Sequence, residues 1–548
     1  MKRRKFVQAL PPIALAPFWQ TSADTILYNG NIITVDPNQP RAQAIAIIGD
    51  KILDVGSNDQ IKKYANGFTK KVDLGGKTVV PGFIDAHSHP ASSGRRHLRN
   101  VNCDLRSITA IQDAIKKRAA TTPKGSWVSG FLYDDTKTVE GRFINRYDLD
   151  AVAPDHPVYI GHRGGHTAYV NSRALAVVGY DKDSPDPPGG QIDRDPATGE
   201  PTGLLKETAT DVFGRLMPSS FDSKDYQAGV KLISEMMSST GVTTVTDAYG
   251  SPKDLRAYQD AYQAGELKIR VYSMIGYYHI DEMLEAGIRT GFGDEWVRVG
   301  GMKLTCDGSI SERTARLSKP YIGTEDDYGI IVMDEDDLYE YAIKAHKADW
   351  QIGIHANGDI GIEKALNVFD RLQAAYPRQD PRFRLEHCTV INDDLVRRIK
   401  GLGAIPNPFS TYVYFHGEKM IHYGEDRLKQ MFALRSFLDA GIKVTQTSDY
   451  PPGPFEPMMA IQSSVTRTDM SGHTWGLNQR VTVEEALKIG TIHGAHASYE
   501  EDIKGSLEIG KLADLVVLGA DITKIDPMRI IETKIERTMI GGNWVYES

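Results

Sequence analysis

Two histidines separated by one residue, His87 and His89, are the side chains of this sequence best placed to do chemistry. They follow an apolar stretch, residues 79–84, of the kind that forms a buried β-strand. Residues two apart along a strand project from the same face of the sheet. Both imidazoles would therefore emerge side by side at the carboxyl end of the strand, as a pair able to chelate a metal ion.

Four further candidate site residues occur at or near the ends of later strand-like segments. They are Lys303, His355, His387 and Asp449. Neutral imidazole and carboxylate suit zinc and several other divalent metals, and a catalytic zinc keeps one coordination position open for water. The set therefore predicts a metal site that activates water, with the identity of the metal left open.

Positioning these residues requires a scaffold in which strands alternate with helices. The strand-like segments are 79–86, 242–247, 269–276, 297–305, 351–357, 382–388, 403–407 and 442–448. This alternation predicts an α/β fold, a (β/α)8 TIM barrel over residues 81–499, with its active site at the carboxyl ends of the strands. A doubly wound sheet is the alternative architecture, but no glycine-rich dinucleotide fingerprint follows an early strand.

Two regions fall outside the alternation. The gap between the first two strands, about residues 91–241, is too long for one strand-to-helix connection and predicts an inserted cap. Short β-rich runs separated by turn signals fill residues 24–80 and 500–548. They predict one small β-sandwich formed by both ends of the chain.

The composition narrows the class of protein. The chain has 548 residues, a 41% hydrophobic content and a net charge of -8 that is spread along it. Without a basic block, a nucleic-acid partner is not expected, and three cysteines make no disulfide framework. No apolar stretch has membrane-spanning length, so no stable membrane anchor is expected either. The expected partner is a small-molecule substrate, and a homodimer or a monomer both remain open.

The amino terminus differs in character from the rest of the chain. Residues 1–8 are basic, residues 9–19 are mostly apolar, and small residues follow at 21–23. This is the three-part pattern of a secretory signal, and Arg3-Arg4 followed by Phe6 resembles a twin-arginine export signal. Residues 1–23 therefore predict export, to the periplasm if the source is bacterial. A basic tail on a cytoplasmic protein is the alternative.

The order His-x-His, Lys, His, His, Asp resembles the metal-dependent amidohydrolase superfamily. More closely it resembles amidohydrolase family 3, which includes the YtcJ-like proteins and the N-substituted formamide deformylases. The phrases that carry the resemblance are residues 80–85 (VPGFID), 307–309 (DGS), 355–359 (HANGD), 385–387 (LEH) and 505–515 (GSLEIGKLADL).

The resemblance implies two divalent metal ions, with zinc as the expected metal. One would be held by His87, His89 and Asp449. The other would be held by His355 and His387.

A carbamate on Lys303 is the implied bridge between the two metals. A desolvated lysine near cations loses its proton readily, and the free amine can then take up CO2. Two alternatives remain open. Lys303 could instead pair with Asp307 or Asp449 beside a single metal, and Glu207 is a rival bridging ligand.

The implied activity is hydrolysis of a carbon–nitrogen bond in a non-peptide amide, a formamide or a cyclic amide. Asp449 would take a proton from the attacking water and pass it to the leaving nitrogen. Because one fold supports many reactions, lactone or phosphoester hydrolysis, deamination and isomerisation are alternatives at the same site. An exported binding or regulatory protein without turnover is the alternative outside enzymes.

Substrate contacts are predicted from three polar residues. His166 and Asn171 belong to a cap segment expected to approach the barrel mouth, and Arg313 follows the fourth strand. His166 and Asn171 could equally tie the cap to the barrel through local hydrogen bonds. Tyr412 follows the seventh strand and is a candidate for an aromatic pocket wall.

Overall fold

The structure, a computed structural model, describes residues 22–165, 167–188, 190–217 and 221–548. Apart from residues 22 and 23, the predicted export signal lies outside these residues. Within the described ranges, no helix combines the length and the apolar character needed to cross a membrane.

Two sheets lie outside the barrel and the cap, one built from residues 25–73 and the other from strands near both ends of the described chain. The four-stranded sheet has the order β5-β4-β1-β6 and comprises β1 (Thr25–Tyr28), β4 (Ala44–Ile48), β5 (Lys51–Gly56) and β6 (Lys70–Asp73). The six-stranded sheet has the order β23-β22-β21-β7-β2-β3 and comprises β2 (Asn31–Ile33), β3 (Arg41–Ala42), β7 (Thr78–Pro81), β21 (Leu515–Leu518), β22 (Ile535–Ile540) and β23 (Asn543–Glu547).

One hydrophobic cluster joins these two sheets. It combines Leu27, Ile45 and Val79 from the first eighty residues with Leu515 and Met539 from the last forty. The side chains of such strands alternate between a buried and an exposed face, so two sheets can share one core. The arrangement is that of a β-sandwich made from both chain ends.

A central sheet of parallel strands forms the barrel. Its order is β20-β19-β18-β17-β16-β15-β8, and its strands are β8 (Phe83–Ser88), β15 (Val242–Gly250), β16 (Arg270–Gly276), β17 (Val297–Thr305), β18 (Ile352–Ala356), β19 (Arg384–His387) and β20 (Ile405–Asn407). These strands are buried almost throughout, as expected where helices cover one face and the barrel interior the other. The predicted TIM-barrel class is confirmed.

The eighth position of the barrel is filled by residues 442–448, which are extended but do not form a regular strand. On one side, Thr445 donates its backbone N–H to the Pro406 carbonyl at 3.2 Å. On the other side, Ala86 donates its backbone N–H to the Gln446 carbonyl at 2.9 Å. The segment therefore closes the barrel, although its pairing is too irregular for a continuous ladder.

The cap lies between β8 and β15 in the chain and has a sheet of its own. The order is β13-β14-β12-β11-β10-β9, and the strands are β9 (Val101–Asn102), β10 (Val128–Tyr133), β11 (Val158–His162), β12 (Thr167–Val170), β13 (Gly190–Arg194) and β14 (Pro201–Glu207). A separate cluster that includes Ile111, Leu149 and Ile160 forms its core. The residue limits predicted for the cap, the barrel and the sandwich stay predictions.

The helices pack on the outside of these sheets. They are α1 (Asn58–Lys62), α2 (Pro90–Arg99), α3 (Ile108–Ala119), α4 (Arg146–Asp150), α5 (Ser172–Val178), α6 (Asp211–Leu216), α7 (Ser223–Ser238), α8 (Pro252–Gln263), α9 (Ile280–Glu285), α10 (Glu335–Lys347), α11 (Asp359–Ala375), α12 (Asp393–Leu402), α13 (Tyr412–Phe415), α14 (Glu425–Leu428), α15 (Leu434–Asp439), α16 (Pro457–Thr466), α17 (Val483–Ile489) and α18 (Ile492–Ala497).

Helix α2 matters most for the site because it begins directly after the predicted histidine pair. Pro90 opens it, which suits the first turn, where a backbone N–H is not needed. Gly94 packs so closely on Gly229 of α7 that a Cβ atom at either position would meet the other backbone. This contact fixes the rotation of α2 and therefore decides which of its side chains face the barrel mouth.

Candidate metal centre and substrate cavity

The six predicted ligands meet at the carboxyl ends of the barrel strands. A cavity of about 370 Å³ opens there. The predicted ligands in its lining are His89, Lys303, His355, His387 and Asp449. His87 is fully buried directly behind Asp449, to which its Nε2 atom lies at 3.1 Å.

The imidazoles and the carboxylate of the predicted ligands form one continuous group. The Nε2 atoms of His87 and His89 lie 3.1 and 3.0 Å from the same oxygen of Asp449. Ligand atoms of His87, His387 and Asp449 all lie within 4.8 Å of one another. The ring centroid of His355 is 4.4 Å from that of His387. We call His87, His89, His355, His387 and Asp449 the ligand cluster.

Two ring nitrogens of the ligand cluster lack a hydrogen bond within the described residues. They are Nε2 of His87, whose geometry toward Asp449 is not that of a hydrogen bond, and Nδ1 of His387, and both are buried. Burying a polar atom without a partner costs free energy, and such atoms are rare in folded proteins. A metal ion would satisfy both nitrogens, so the residues present fit a metal site.

The protonation states also suit metal binding. Burial, reinforced by the neighbouring His355, holds the pKa of His387 well below its usual range. Burial alone would raise the pKa of Asp449, but the electrostatic interactions with the adjacent His387, His87 and His89 bring it well below its usual range. The cluster therefore offers neutral imidazole beside an ionised carboxylate, which are the ligand forms of these groups.

A carboxylate that the sequence analysis did not single out orients His87. Glu386 Oε2 lies 2.5 Å from His87 Nδ1, and the other Glu386 oxygen accepts a hydrogen bond from Arg384 Nε at 2.7 Å. Both residues are fully buried beside His87. Because metal-binding histidines commonly donate their second ring N–H to a carboxylate, this contact leaves Nε2 as the ligand atom. The sequence signal for this orienting role is that Glu386 directly precedes the predicted ligand His387.

Backbone conformation explains how adjacent residues of β19 serve the same site. His387 and Cys388 have φ angles of 74° and 39°, and Asp449 has a φ of 54°. Non-glycine residues rarely adopt this left-handed region, and such strain is concentrated at functional sites. The turn at His387 interrupts the strand alternation, so that Glu386 and His387 both face the barrel interior.

Lys303 is buried in the cavity wall with 2% of its surface exposed. Burial lowers its pKa to about 8, although the charges of Glu386 and Asp449 oppose the shift. Among the described residues, no carboxylate oxygen lies within 4.0 Å of its Nζ atom. Asp307, one suggested partner, instead accepts backbone hydrogen bonds from Asn357 and Gly358, each at 2.8 Å.

Three further predicted site residues, Asn171, Glu207 and Arg313, lie outside the cavity lining. Asn171 caps α5, where its side chain accepts from Ala174 N and donates to His156 O, so its amide is used within the cap. Arg313 is exposed on the loop after β17, and Glu207 ends cap strand β14. His166 lies outside the described residues. The structure thus does not bring Asn171, Arg313 or Glu207 to the ligands.

The cavity walls contain aromatic and basic side chains. The ring of Phe409 stacks on His387 with centroids 4.3 Å apart. Tyr412, predicted as an aromatic wall, lines the cavity, as does Tyr249. Arg96 and Arg163, which sequence reasoning missed, also belong to the lining. The site therefore combines a metal-ligand set with an enclosed space for an organic substrate.

These features define a class of protein, which the comparison with known families identifies. The model of the amidohydrolase family matches residues 70–546 of this chain. The chain belongs to the amidohydrolase family. The resemblance derived from the sequence is confirmed, and with it the prediction of an enzyme, a hydrolase acting on carbon–nitrogen bonds.

Individual relatives agree with this assignment over nearly their full length. The N-substituted formamide deformylase of Arthrobacter pascens is 30% identical over 539 residues, 96% of this chain and 98% of the relative. The putative amidohydrolase YtcJ of Bacillus subtilis is 30% identical, over 95% of this chain and 99% of its own. An uncharacterised metal-dependent hydrolase from Pyrococcus horikoshii has a similar structure, with a TM-score of 0.75, 26% identity and coverage of 92% of this chain and 99% of its own.

Proposed function

We propose that this protein is a metal-dependent hydrolase that cleaves the carbon–nitrogen bond of a non-peptide amide, a formamide or a cyclic amide. The observation that carries the proposal is a pair of buried histidine nitrogens beside the ionised Asp449. These atoms, His87 Nε2 and His387 Nδ1, have no hydrogen-bond partner within the described part of the chain. The deformylase activity named for the relative from Arthrobacter pascens supports the same class of substrate.

The ligand cluster would hold one divalent metal through His87, His89 and Asp449 and another through His355 and His387. Zinc is the proposed metal because of these imidazole and carboxylate ligands. When bound, such metals polarise a carbonyl group and lower the pKa of a coordinated water toward neutrality. Proton transfer and the orientation of the metal ligands are assigned below to side chains of this chain.

Asp449 is the proposed proton carrier. Its carboxylate is ionised at neutral pH and faces the cavity, so it can accept a proton from the attacking water. The same group would then donate that proton to the leaving nitrogen, which departs as a neutral amine. Its position 3.0 Å from His89 Nε2 holds it beside the ligands during both transfers.

Glu386 is a positioning residue in this scheme. By accepting the Nδ1 proton of His87, it keeps the Nε2 lone pair directed toward Asp449 and the cavity. Arg384 in turn balances the charge of Glu386 and fixes its orientation. The three residues form a buried chain that holds the first ligand in a single tautomer.

Lys303 is proposed to carry a carbamate that bridges the metals. Its neutral Nζ atom would form a bond to the carbon of CO2 and release one proton, giving an anionic carbamate. A pKa of about 8 leaves far more neutral amine at pH 7 than an ordinary lysine has. The lack of a nearby carboxylate within 4.0 Å, among the described residues, favours this role over a simple ion pair.

Metal content per chain tests the proposal. Protein purified without chelators is expected to contain about two metal ions by elemental analysis, and Lys303→Ala about one or none. Lys224→Ala serves as the control, because Lys224 is exposed and lies outside the cavity lining. One metal ion per chain in both the wild type and Lys303→Ala would contradict the proposed carbamate. No metal in any of the proteins, even after zinc is added, would overturn the hydrolase.

A substrate panel separates amide hydrolysis from the other reactions. Amides, formamides and cyclic amides are compared with lactones, phosphoesters and deaminase substrates at equal concentration. Faster turnover of a lactone or a phosphoester than of any amide would contradict the proposal that the enzyme cleaves a carbon–nitrogen bond. No turnover of any compound by the metal-loaded protein would favour a binding or regulatory role.

Export is a separate proposal, which rests on residues 1–23. Fusion of this segment to a reporter in a bacterial host tests it. Transport of the reporter that is lost when Arg3 and Arg4 are both changed to lysine is the expected result for a twin-arginine signal. A reporter that stays in the cytoplasm would contradict it.

A further inference from the structure

Arg96 is a cavity-lining arginine without a counter-charge. It lies on α2, is exposed, and belongs to the lining of the same cavity as His89 and Asp449. Among the described residues, its guanidinium makes no hydrogen bond, ion pair or ring contact. Surrounding protein desolvates the side chain and lowers its pKa, with no carboxylate among the groups that act on it. An arginine in such a position can accept an anion from outside the protein.

The neighbouring arginines, unlike Arg96, each form an ion pair with an aspartate. Arg95, the preceding residue, is bound to Asp254, and Arg99 lies 2.6 Å from Asp225. Arg163, which also lines the cavity, lies 2.5 Å from Asp104. These guanidinium groups are therefore neutralised within the protein, whereas Arg96 is not.

Helix geometry places Arg96 in line with the ligand cluster. His89 immediately precedes α2, and residues 92 and 96 follow on the same face at intervals of three and four. Ser92 and Arg96 both line the cavity. Seven residues of helix span roughly 10 Å, and helical side chains lean back toward the amino terminus. The guanidinium can thus reach toward the ligands across the length of a small substrate.

Within the described lining of the cavity, Asp449 is the sole carboxylate that could compete for Arg96, and it lies at the ligand end. The aromatic rings of Tyr249, Phe409 and Tyr412 form part of the described lining, beside polar side chains such as Ser309 and Ser311. The space therefore has a metal-ligand end, aromatic and polar walls, and the guanidinium of Arg96 on α2.

We propose that the substrate is an amide that carries a carboxylate, such as an N-acylated amino acid, and that Arg96 binds this carboxylate. The inference rests on the proposed hydrolase function and names its substrate class. A planar guanidinium matches a carboxylate with two parallel hydrogen bonds, while the aromatic walls contact the apolar part of the substrate. Binding at Arg96 holds the scissile carbonyl at the ligand cluster.

The overall reaction is a simple hydrolysis. For an N-formyl amino acid, a bond forms between the water oxygen and the formyl carbon, and the carbon–nitrogen bond breaks. One water proton goes to the nitrogen, and the products are formate and a free amino acid. No oxidant, reductant or second substrate is needed.

A matched pair of substrates tests the role of the carboxylate. N-formylphenylalanine and N-formyl-2-phenylethylamine differ only in the carboxylate, and both enantiomers of the amino acid are tested. The wild-type enzyme is expected to show a kcat/KM at least tenfold higher for one enantiomer of the acid than for the neutral amide. Equal or faster hydrolysis of the neutral amide would overturn the substrate class while leaving the hydrolase function intact.

Variants at Arg96 locate the recognition. In Arg96→Gln, kcat/KM for the acid is expected to fall about 10- to 100-fold, as for loss of a charged hydrogen-bonded pair, and to stay within twofold for the neutral amide. Arg96→Lys keeps the charge and should lose less. Arg99→Gln is the control on the same helix, because Arg99 lies outside the cavity lining and pairs with Asp225. Equal loss for both substrates in Arg96→Gln and Arg96→Lys would overturn the role of Arg96.

Binding of a non-hydrolysable carboxylate separates failure of this inference from failure of the proposed function. 3-Phenylpropionate is titrated into the metal-loaded wild type and Arg96→Gln by calorimetry. Binding that weakens about 10- to 100-fold in the variant supports the carboxylate site, even if no amide is turned over. Equal binding by both proteins overturns it.

Discussion

Two buried clusters of histidines and carboxylates in this protein look alike in composition but differ in what surrounds them. One is the ligand cluster at the barrel mouth. The other lies between the cap and the barrel and comprises Asp134, Asp135, His162, His416 and Glu418, which we call the cap cluster. Among the described residues, the ligand cluster contains one group of three ligand atoms within 4.8 Å of one another, and the cap cluster contains two. Residue types and proximity alone therefore do not distinguish them.

Nearby lysines separate the two clusters. In the cap cluster, Lys419 Nζ lies 3.7 Å from Asp134 Oδ2, and Lys137 Nζ lies 2.9 Å from Glu418 Oε1. These lysines already balance the carboxylates. In the ligand cluster, Lys303 has no carboxylate within 4.0 Å among the described residues. The comparison indicates an ion-pair network in the cap cluster and a need for an added cation in the ligand cluster.

The elements that carry the two clusters differ as well. The ligand cluster stands on strand ends, which hold side chains rigidly for chemistry. In the cap cluster, Asp134 follows cap strand β10, whereas His416 follows barrel helix α13. His162 of the cap also lies 3.3 Å from Glu312, on the loop after β17. The cap cluster therefore fastens the cap over the barrel mouth and so encloses the cavity.

The largest expected effect is at the acidic residue of the ligand cluster. Asp449→Asn removes both a ligand charge and the proposed proton carrier, so kcat on an amide substrate should fall about 10²- to 10⁴-fold. Steady-state kinetics on metal-loaded protein measure it. The matched variant Asp134→Asn should keep most of its activity. A similar loss of kcat in both variants would contradict the assignment of catalysis to the ligand cluster alone.

The stability effect should be larger in the cap cluster. Asp134→Ala leaves Lys419 and His416 buried without their carboxylate, and breaking such a buried pair costs about 3–5 kcal/mol. Thermal unfolding should therefore begin several degrees lower, while metal content by elemental analysis is unchanged. Loss of metal from Asp134→Ala would instead make the cap cluster a metal site.

Changing a residue that orients a metal ligand should have a smaller effect than changing a ligand itself. Glu386→Gln weakens the orientation of His87 but leaves all ligands present, so metal affinity should fall about 10- to 100-fold. Competition with a chelator of known affinity measures the change. Glu418→Gln in the cap cluster is the control and should leave metal affinity unaltered. An unchanged affinity in Glu386→Gln would mean that Arg384 or the fold alone orients His87.

The smallest expected effect is on how the stability of the folded protein depends on pH. Burial and the charge of Lys419 lower the pKa of His416 to about 4, against the opposing carboxylates of Glu418 and Asp134. Between about pH 6.5 and 4 the unfolded chain binds a proton at this residue that the folded protein does not, so stability falls as the pH falls through this window. In His416→Gln, the unfolding temperature should decline less between pH 7 and 4. Parallel declines in the two proteins would assign the pH dependence to other groups.

Much of the ligand cluster was predictable because its signals are local. A two-residue period puts His87 and His89 on one face, and apolar runs mark the strands that precede His355 and Asp449. The barrel follows from the same alternation. Closure by residues 442–448 was also predicted, but not its irregular form, which involves a backbone N–H of Thr447 bound to the hydroxyl of Ser410.

The contacts that orient or complete the site were not predictable in this way. Glu386 and His87 are separated by 299 residues, and no periodicity records their meeting across the barrel. The role of Arg96 depends on the packing of α2 against α7, which is again tertiary. Asn171 is different, because asparagine directly before a helical segment is a recognised capping signal. That local signal favoured its structural role over a substrate contact.

The pairing of both chain ends in the sandwich has a consequence for biosynthesis. Strand β7 leads through Gly82 into β8, which carries His87, and β7 is flanked by β2 and β21. Strand β21 is synthesised only after all the barrel strands, so β7 has an open edge throughout the preceding synthesis. A prematurely terminated chain would keep that edge exposed to other chains and prone to aggregation. The strand that carries His87 is thus firmly anchored only after β21 has been synthesised.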